Sequence, residues 1–98
     1  MPESLPWFVY VLECVNGRLY TGITVDLERR FQQHRRGKGA MFTRLNKPHR
    51  MLGAKTCADR SEASRLEVRI KRLPATHKRI MADLWCLAYP LPASVTSD

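Results

Sequence analysis

Two tyrosines flank an Asn-Gly pair in the stretch FVYVLECVNGRLYTG, residues 8–22, and an arginine, a histidine and a single glutamate follow in places that need a reason. Phenol, guanidinium, imidazole and carboxylate are groups that pass protons and hold or balance charge. On a helical plot of LERRFQQHRR, Leu27 and Phe31 define the inward stripe, and Arg30 and His34 complete its i, i+3, i+4, i+7 spacing. A helix that turns Arg30 and His34 toward a sheet either buries them at a cost or lines a cleft with them. The plainer readings are a boundary arginine lying along apolar surface and a hydrogen-bonded boundary histidine. Glu67 lies about 80° from the centre of the apolar stripe of a later helix. It sits one turn before Lys71, which is also the spacing of an ordinary surface ion pair.

Tyr10 and Tyr20 can share a site only if the hairpin between them has the right register. A two-residue turn at Asn16-Gly17 pairs Val15 with Arg18 and puts the two tyrosines on opposite faces. A three-residue loop closed by a bulge, with Gly17 in the left-handed conformation, pairs Cys14 with Arg18 and brings both phenols to one face. Asn-Gly permits either, so the sequence leaves this open.

The elements that must carry these residues are readable in outline. WFVYVL, residues 7–12, is a continuous aromatic and β-branched run suited to a strand buried on both faces. RLYTGI returns as a second strand, and Asp26 can cap the helix that ends before Gly37 and Gly39. AMFTRLNKPHR reads as a loop, followed by a weaker strand around MLGAKTC. Asp59 or Ser61 can cap a second helix, SEASRLEVRIKRL, whose Ala63, Leu66, Ile70 and Leu73 recur at helical spacing. Pro74 ends it, THKRIMADLWCL supplies a short third helix, and YPLPASVTSD is proline-broken and polar, as fraying tails often are. The order is β-β-α-β-α-α, with residues 1–6 as an extension, 7–84 as the domain and 85–98 as a partly flexible tail.

The chain has 98 residues, enough for one domain with a thin core, and 44% hydrophobic with 27% charged residues argues against general disorder. Its net charge is +8, and every charged residue from Arg29 to Lys55 is basic. Solvated faces usually mix signs, so a nucleic-acid backbone is the expected partner, with Arg29, Arg35, Arg36, Lys38, Arg44, Lys47 and Arg50 as its contacts. Three widely spaced cysteines lack the pairing of a zinc site and read as reduced thiols. The opening MPESLPWF carries no basic segment followed by an apolar one, and no apolar run approaches the ~20 residues that span a bilayer. A cytoplasmic protein, apart from membranes and monomeric, is the expectation.

Tyr10 in VYV, YTG at residues 20–22, DLERRFQQH ending in His34, and EASRLEVRIKRL with Glu67 resemble the GIY-YIG endonuclease superfamily in order and spacing. The likeness is strongest to its small single-domain bacterial members and covers roughly residues 7–80. Phe8 stands where the name motif has its first glycine and Thr21 where it has isoleucine. Ile23 stands where the excision-repair branch carries lysine, and His34 where the homing and structure-specific branches carry histidine. The resemblance implies an α+β fold, a three-stranded antiparallel sheet flanked by helices, with a shallow cleft for a phosphodiester.

It implies further that Tyr10, Tyr20, Arg30, His34 and Glu67 form the active site of an endonuclease acting on DNA in preference to RNA, with low intrinsic sequence specificity unless a protein partner supplies it. DNA repair or recombination would be its setting. Glu67 would hold a single Mg²⁺ or Mn²⁺, Arg30 would balance phosphate charge, and a tyrosine would activate water. One carboxylate suits magnesium, which keeps most of its waters. A free phenol is only about one part in a thousand ionised at pH 7, so the site must lower that pKa or relay the proton through His34 or water; activity is expected to rise toward alkaline pH. The rival reading is a nucleic-acid-binding module, for DNA or RNA, that keeps the fold without turnover.

Overall fold

The computed structural model describes residues 5–96. Trp7–Cys14 (β1) runs up the middle of an antiparallel sheet, between Leu19–Thr24 (β2) and Pro48–Cys57 (β3). That position explains its unbroken apolar run: Val9, Tyr10, Val11 and Leu12 have no exposed surface, because helices cover both faces. β3 begins at Pro48, before the stretch expected from sequence, and proline is tolerated at the first residue of an edge strand.

Leu27–Arg35 (α1) starts where Asp26 accepts the Arg29 backbone N–H at 3.0 Å. It is followed by Gly37, whose φ of +72° is the left-handed conformation that closes helices. Residues 41–45, expected as loop, form a short helix, Met41–Leu45 (α2). Arg60–Lys71 (α3) takes Asp59 rather than Ser61 as its cap, with the carboxylate accepting the Glu62 N–H at 2.8 Å. Ala75–Ala88 (α4) is a full 14-residue helix rather than a short one, and Ala93–Thr96 (α5) is a single turn. The order β2-β1-β3 with helices on both faces is the α+β architecture that the resemblance implied.

The period of two along β1 divides the core. Phe8, Tyr10 and Leu12 face Leu27 and Phe31 of α1 and Val95 of α5, whereas Val9 and Val11 face Ala63 and Ile70 of α3 and Ala82 and Trp85 of α4. The C-terminal stretch is therefore more tightly held than its prolines suggested. Trp85, which the sequence put both in the third helix and at the start of the tail, lies inside α4 and is buried, Val95 is fully buried, and the Tyr89 ring lies 5.1 Å from that of Phe8. Residues 97–98 of that tail and 1–4 of the N-terminal extension fall outside the described residues.

Candidate functional site

The hairpin adopts the bulged, three-residue loop. The Cys14 N–H donates to the Arg18 carbonyl and the Gly17 N–H to that of Cys14, both at 2.8 Å, and Gly17 has φ of +84°. The register follows: Tyr10 pairs with Gly22 and Leu12 with Tyr20. Both phenols then project from the same face, their ring centroids 6.3 Å apart. Gly22 is what lets them close over the strand, since a Cβ there would lie 2.5 Å from the Tyr10 hydroxyl and 2.9 Å from the Tyr20 ring.

Burial sorts the two tyrosines into different tasks. Tyr10 has no exposed surface, while Tyr20 is partly exposed, stacked on Phe42 at 5.9 Å and edge-on to His34 at 5.3 Å. Burial drives the Tyr10 hydroxyl well above the ordinary phenol range; hydrogen bonding to Arg30 opposes the rise without reversing it, and the neighbouring Tyr20 and Glu67 add to it. Tyr10 therefore stays protonated and acts as a donor.

Its acceptor is His34. The Tyr10 hydroxyl lies 2.7 Å from His34 Nε2, and His34 Nδ1 lies 2.7 Å from Thr43 Oγ1, whose own hydroxyl donates to the Ala40 carbonyl at 3.0 Å. The Thr43 proton is thus committed to the backbone, so Nδ1 must carry the ring proton and Nε2 must accept. The result is a chain of donors pointing one way: Tyr10 to His34, His34 to Thr43, Thr43 to a main-chain carbonyl. His34 is fully buried, and burial, with Arg30 nearby, lowers its pKa from 6.5 to about 4, which keeps the ring neutral at physiological pH. Gly39 seats the ring, because a Cβ at that position would collide with His34 Nδ1.

Arg30 completes this face. It is half-buried, donates to the Gln33 amide oxygen at 3.1 Å and interacts with Tyr10, so its guanidinium is fixed from two sides. Both polar residues on the inward stripe of α1 are thereby explained: one is a satisfied buried histidine, the other a positioned cation.

Glu67 reaches the cluster from the opposite layer. Its carboxylate lies 3.3 Å from Lys71 Nζ, and that ammonium sits 6.0 Å from the Tyr20 ring centroid, at the β2 edge. The Glu67 charge is also felt at the Tyr10 hydroxyl. The surface ion pair and the approach to the tyrosines therefore coexist. Among the described residues no group of three or more His, Cys, Asp or Glu side chains is disposed to hold a metal ion. A single carboxylate fits a hard, largely hydrated cation such as Mg²⁺ and does not fit a cation needing a protein cage.

Arg29, Arg35, Arg36, Lys38, Arg44 and Lys47 are all exposed. Arg35, Arg44 and Lys47 converge on a depression beside His34 and Thr43, and the Arg35 guanidinium packs 5.8 Å from the Phe31 ring. Arg50 stands apart: its Nε donates to Glu13 at 3.0 Å, in a cluster that Arg79 joins at 2.7 Å. Sequence reasoning missed Thr43 and Phe42, which lie in the stretch read as loop, and gave Gly39 only the task of ending α1. The three cysteines are unpaired thiols, and no helix among the described residues is long and apolar enough to cross a membrane.

On this basic α+β domain one sheet face joins two phenols, a guanidinium and a neutral imidazole, with a carboxylate at the rim, and the family that the chain matches is a nuclease-type one. The chain is a member of the GIY-YIG family: it matches the GIY-YIG catalytic domain over residues 6–80. It is 55% identical over 78 residues, 80% of this chain and 76% of the other, to the UPF0213 protein XAC3202 of Xanthomonas axonopodis pv. citri. With the UPF0213 protein H16_B0156 of Cupriavidus necator it shares 51% over 79 residues, 81% of this chain and 86% of that one. Two solution NMR structures are similar. The UPF0213 protein BH0048 from Bacillus halodurans is 38% identical with a TM-score of 0.50, covering 81% of this chain and 84% of that one. EF2693 from E. faecalis is 30% identical with a TM-score of 0.58, covering 94% and 98%.

Proposed function

We propose that this domain hydrolyses phosphodiester bonds in DNA, with a divalent cation held by Glu67 and with little sequence preference of its own. The observation that carries the reading is the one-way hydrogen-bond chain from Tyr10 through His34 to Thr43, with Arg30 against the Tyr10 hydroxyl and the Tyr20 ring 5.3 Å from that of His34. A fixed guanidinium is worth most where negative charge builds up, as it does on phosphorus oxygens during hydrolysis. Tyr20 is the phenol with solvent access; having lost its own proton it is, as the phenolate, the group to take a proton from the attacking water, while Tyr10, buried and protonated, orients Arg30 and His34 instead. His34 Nε2 already accepts from Tyr10, so the proton leaves Tyr20 by way of solvent. The cation, when bound, supplies further charge neutralisation beside the phosphate. Arg29, Arg35, Arg36, Lys38, Arg44 and Lys47 hold the flanking backbone, and a protein partner would add sequence or structure preference.

The test is cleavage of single-stranded, nicked, branched and duplex DNA, with RNA alongside, in Mg²⁺ or Mn²⁺. Activity lost in Glu67→Ala, Arg30→Ala and Tyr20→Phe but present in wild type supports hydrolysis at this site; no cleavage of any substrate by wild type overturns it. One observation favours the rival reading, a nucleic-acid-binding module without turnover. Glu67, whose charge reaches Tyr10, is already paired with Lys71 at 3.3 Å, and a cation must displace that ammonium. Binding that survives Glu67→Ala, with no cleavage under any condition, identifies that module.

A further inference from the structure

A cavity of about 580 Å³ opens at the N-terminal end of α1, and Arg30 lines it as well as the tyrosine cluster. We propose that this cavity is a nucleobase subsite, which takes an unpaired base of the strand whose phosphate lies at Arg30. The inference rests on the nuclease reading for the position of that phosphate, and on the cavity itself for the rest.

One wall is apolar: Phe8, Val25, Leu27 and Tyr89 contribute, with Phe8 and Tyr89 forming a tilted ring pair 5.1 Å apart. The other wall is built from Arg29, Arg30 and Gln33. Two carboxylates sit on the rim, Asp26 with one oxygen accepting the Arg29 backbone N–H at 3.0 Å and Glu28 with one accepting the Ser94 hydroxyl at 2.7 Å, and each keeps its charge and a second oxygen. The lining thus offers a ligand an aromatic and aliphatic surface, the Arg29 donors with those that Arg30 does not give to Gln33 and Tyr10, and rim carboxylate oxygens that can accept from a base amino group. A base edge rich in carbonyl and ring-nitrogen acceptors matches that wall, and a π-face matches the other. Phe8 is two residues along β1 from Tyr10 on the same face, so an occupant lies beside the cluster rather than across the molecule from it.

A base within a duplex reaches a cavity of this kind only by unstacking and unpairing, at a cost of about a few kcal/mol; an unpaired one enters at less cost. The substrate class that follows is a strand with at least one unpaired nucleotide next to the cleaved phosphate. Tyr89 and Pro92, which line the cavity, lie beyond the residues that the family match spans. Selection of the unpaired base would therefore be a property of this chain's C-terminal segment.

The experiment is binding of a fluorescent single-stranded oligonucleotide in EDTA, so that cleavage plays no part. It is repeated with an otherwise identical oligonucleotide series carrying one abasic site at successive positions. Wild type should lose roughly tenfold in affinity at one abasic position, the loss of one base stack. Tyr89→Ala should bind the intact strand roughly tenfold more weakly and be indifferent to that abasic site, while Tyr89→Phe should behave as wild type. NMR titration with the four deoxynucleoside 5′-monophosphates should shift Val25, Leu27 and Tyr89, and deoxyribose 5-phosphate should leave them unmoved. Equal affinity of wild type for the intact strand and every abasic strand overturns the subsite, and so do shifts confined to residues 35–47. Should base-dependent binding hold while no substrate is cleaved in Mg²⁺ or Mn²⁺, the hydrolytic reading falls and the subsite stands.

Discussion

Acidification gives a direct measure of how firmly the buried histidine is held. His34 accepts from Tyr10 through Nε2 and donates through Nδ1, with no exposed surface and Arg30 close by. Protonating Nε2 turns the acceptor into a donor facing another donor and places a second cation beside the guanidinium. In the folded chain the pKa is about 4 against 6.5 for a free side chain, so between those values the unfolded state binds more protons. Stability from this group is fully present above about pH 6.5 and is lost progressively as pH falls toward about 4. At about 1.4 kcal/mol per unit the whole span corresponds to about 3–4 kcal/mol, a large part of the stability of a small domain. Glu13 adds its own acid dependence. Burial alone would raise its pKa, but hydrogen bonds from Arg79 and Arg50 outweigh that and hold it low. The histidine contribution must therefore be read as a difference. Urea unfolding of wild type and His34→Gln from pH 4 to 7.5 should give wild-type stability that rises more steeply with pH across 4.5–6.5. The His34 Cε1–H resonance should move only below about pH 5. Parallel stability curves, or an imidazole that titrates near 6.5 in the native protein, would show that the ring is neither desolvated nor held as an acceptor.

Gly22→Ala should destabilise by about 1–3 kcal/mol, the cost of overpacking, because the new methyl lies 2.5 Å from the Tyr10 hydroxyl; an unchanged urea midpoint means the strand and rings are not in contact. Thr21→Val should stabilise by about 1 kcal/mol in the same assay, since the buried Thr21 hydroxyl has no hydrogen-bond partner and valine keeps the shape; a loss of stability would indicate a hidden partner. DNA affinity should fall with salt at a log-log slope of roughly −4 to −5, and Arg44→Ala should reduce the slope by roughly one while Arg50→Ala, already paired with Glu13, changes it less; equal effects would place Arg50 on the DNA. Cleavage should rise from pH 6 to 9 in wild type and still rise, from a lower rate, in Tyr10→Phe, whereas Tyr20→Phe should be inactive. A flat wild-type profile counts against a titrating phenol.

The parts of the site written in helical period were legible beforehand. Arg30 and His34 sit on the inward stripe of α1 because Leu27 and Phe31 define it, and no alternative rotation of that helix buries the leucine and phenylalanine together. Periodicity shows Glu67 only as one member of an i,i+4 pair and the resemblance alone sets it with the tyrosines, since its approach to them comes from α3 packing under β2, a relation between distant segments. Thr43 was invisible for a different reason. A single hydroxyl in a short polar stretch carries no pattern, and its task emerges only when His34 arrives beside it with a ring nitrogen to satisfy. The C-terminal stretch misled because its prolines mark chain breaks faithfully, while Tyr89 and Val95 between them carry enough apolar surface to fix it to the sheet.

The tyrosine pair shows most sharply how little separates a site from its absence. Side chains alternate across a strand, so one residue more or fewer in the loop after Cys14 moves Tyr20 to the face of Val9 and Val11. It would then be a core aromatic among the α3 residues, and Tyr10 would face His34 alone. The left-handed Gly17 is what admits the third loop residue, with the Asn16 side chain bracing the turn by accepting the Arg18 N–H at 3.1 Å. Arg79 closes it from α4, donating to the Gly17 carbonyl at 3.1 Å and to Glu13 at 2.7 Å. A helix on one face of the sheet thus holds the register that assembles the phenols on the other, which is why the Glu13 cluster belongs to the working of the site although none of its members touches it.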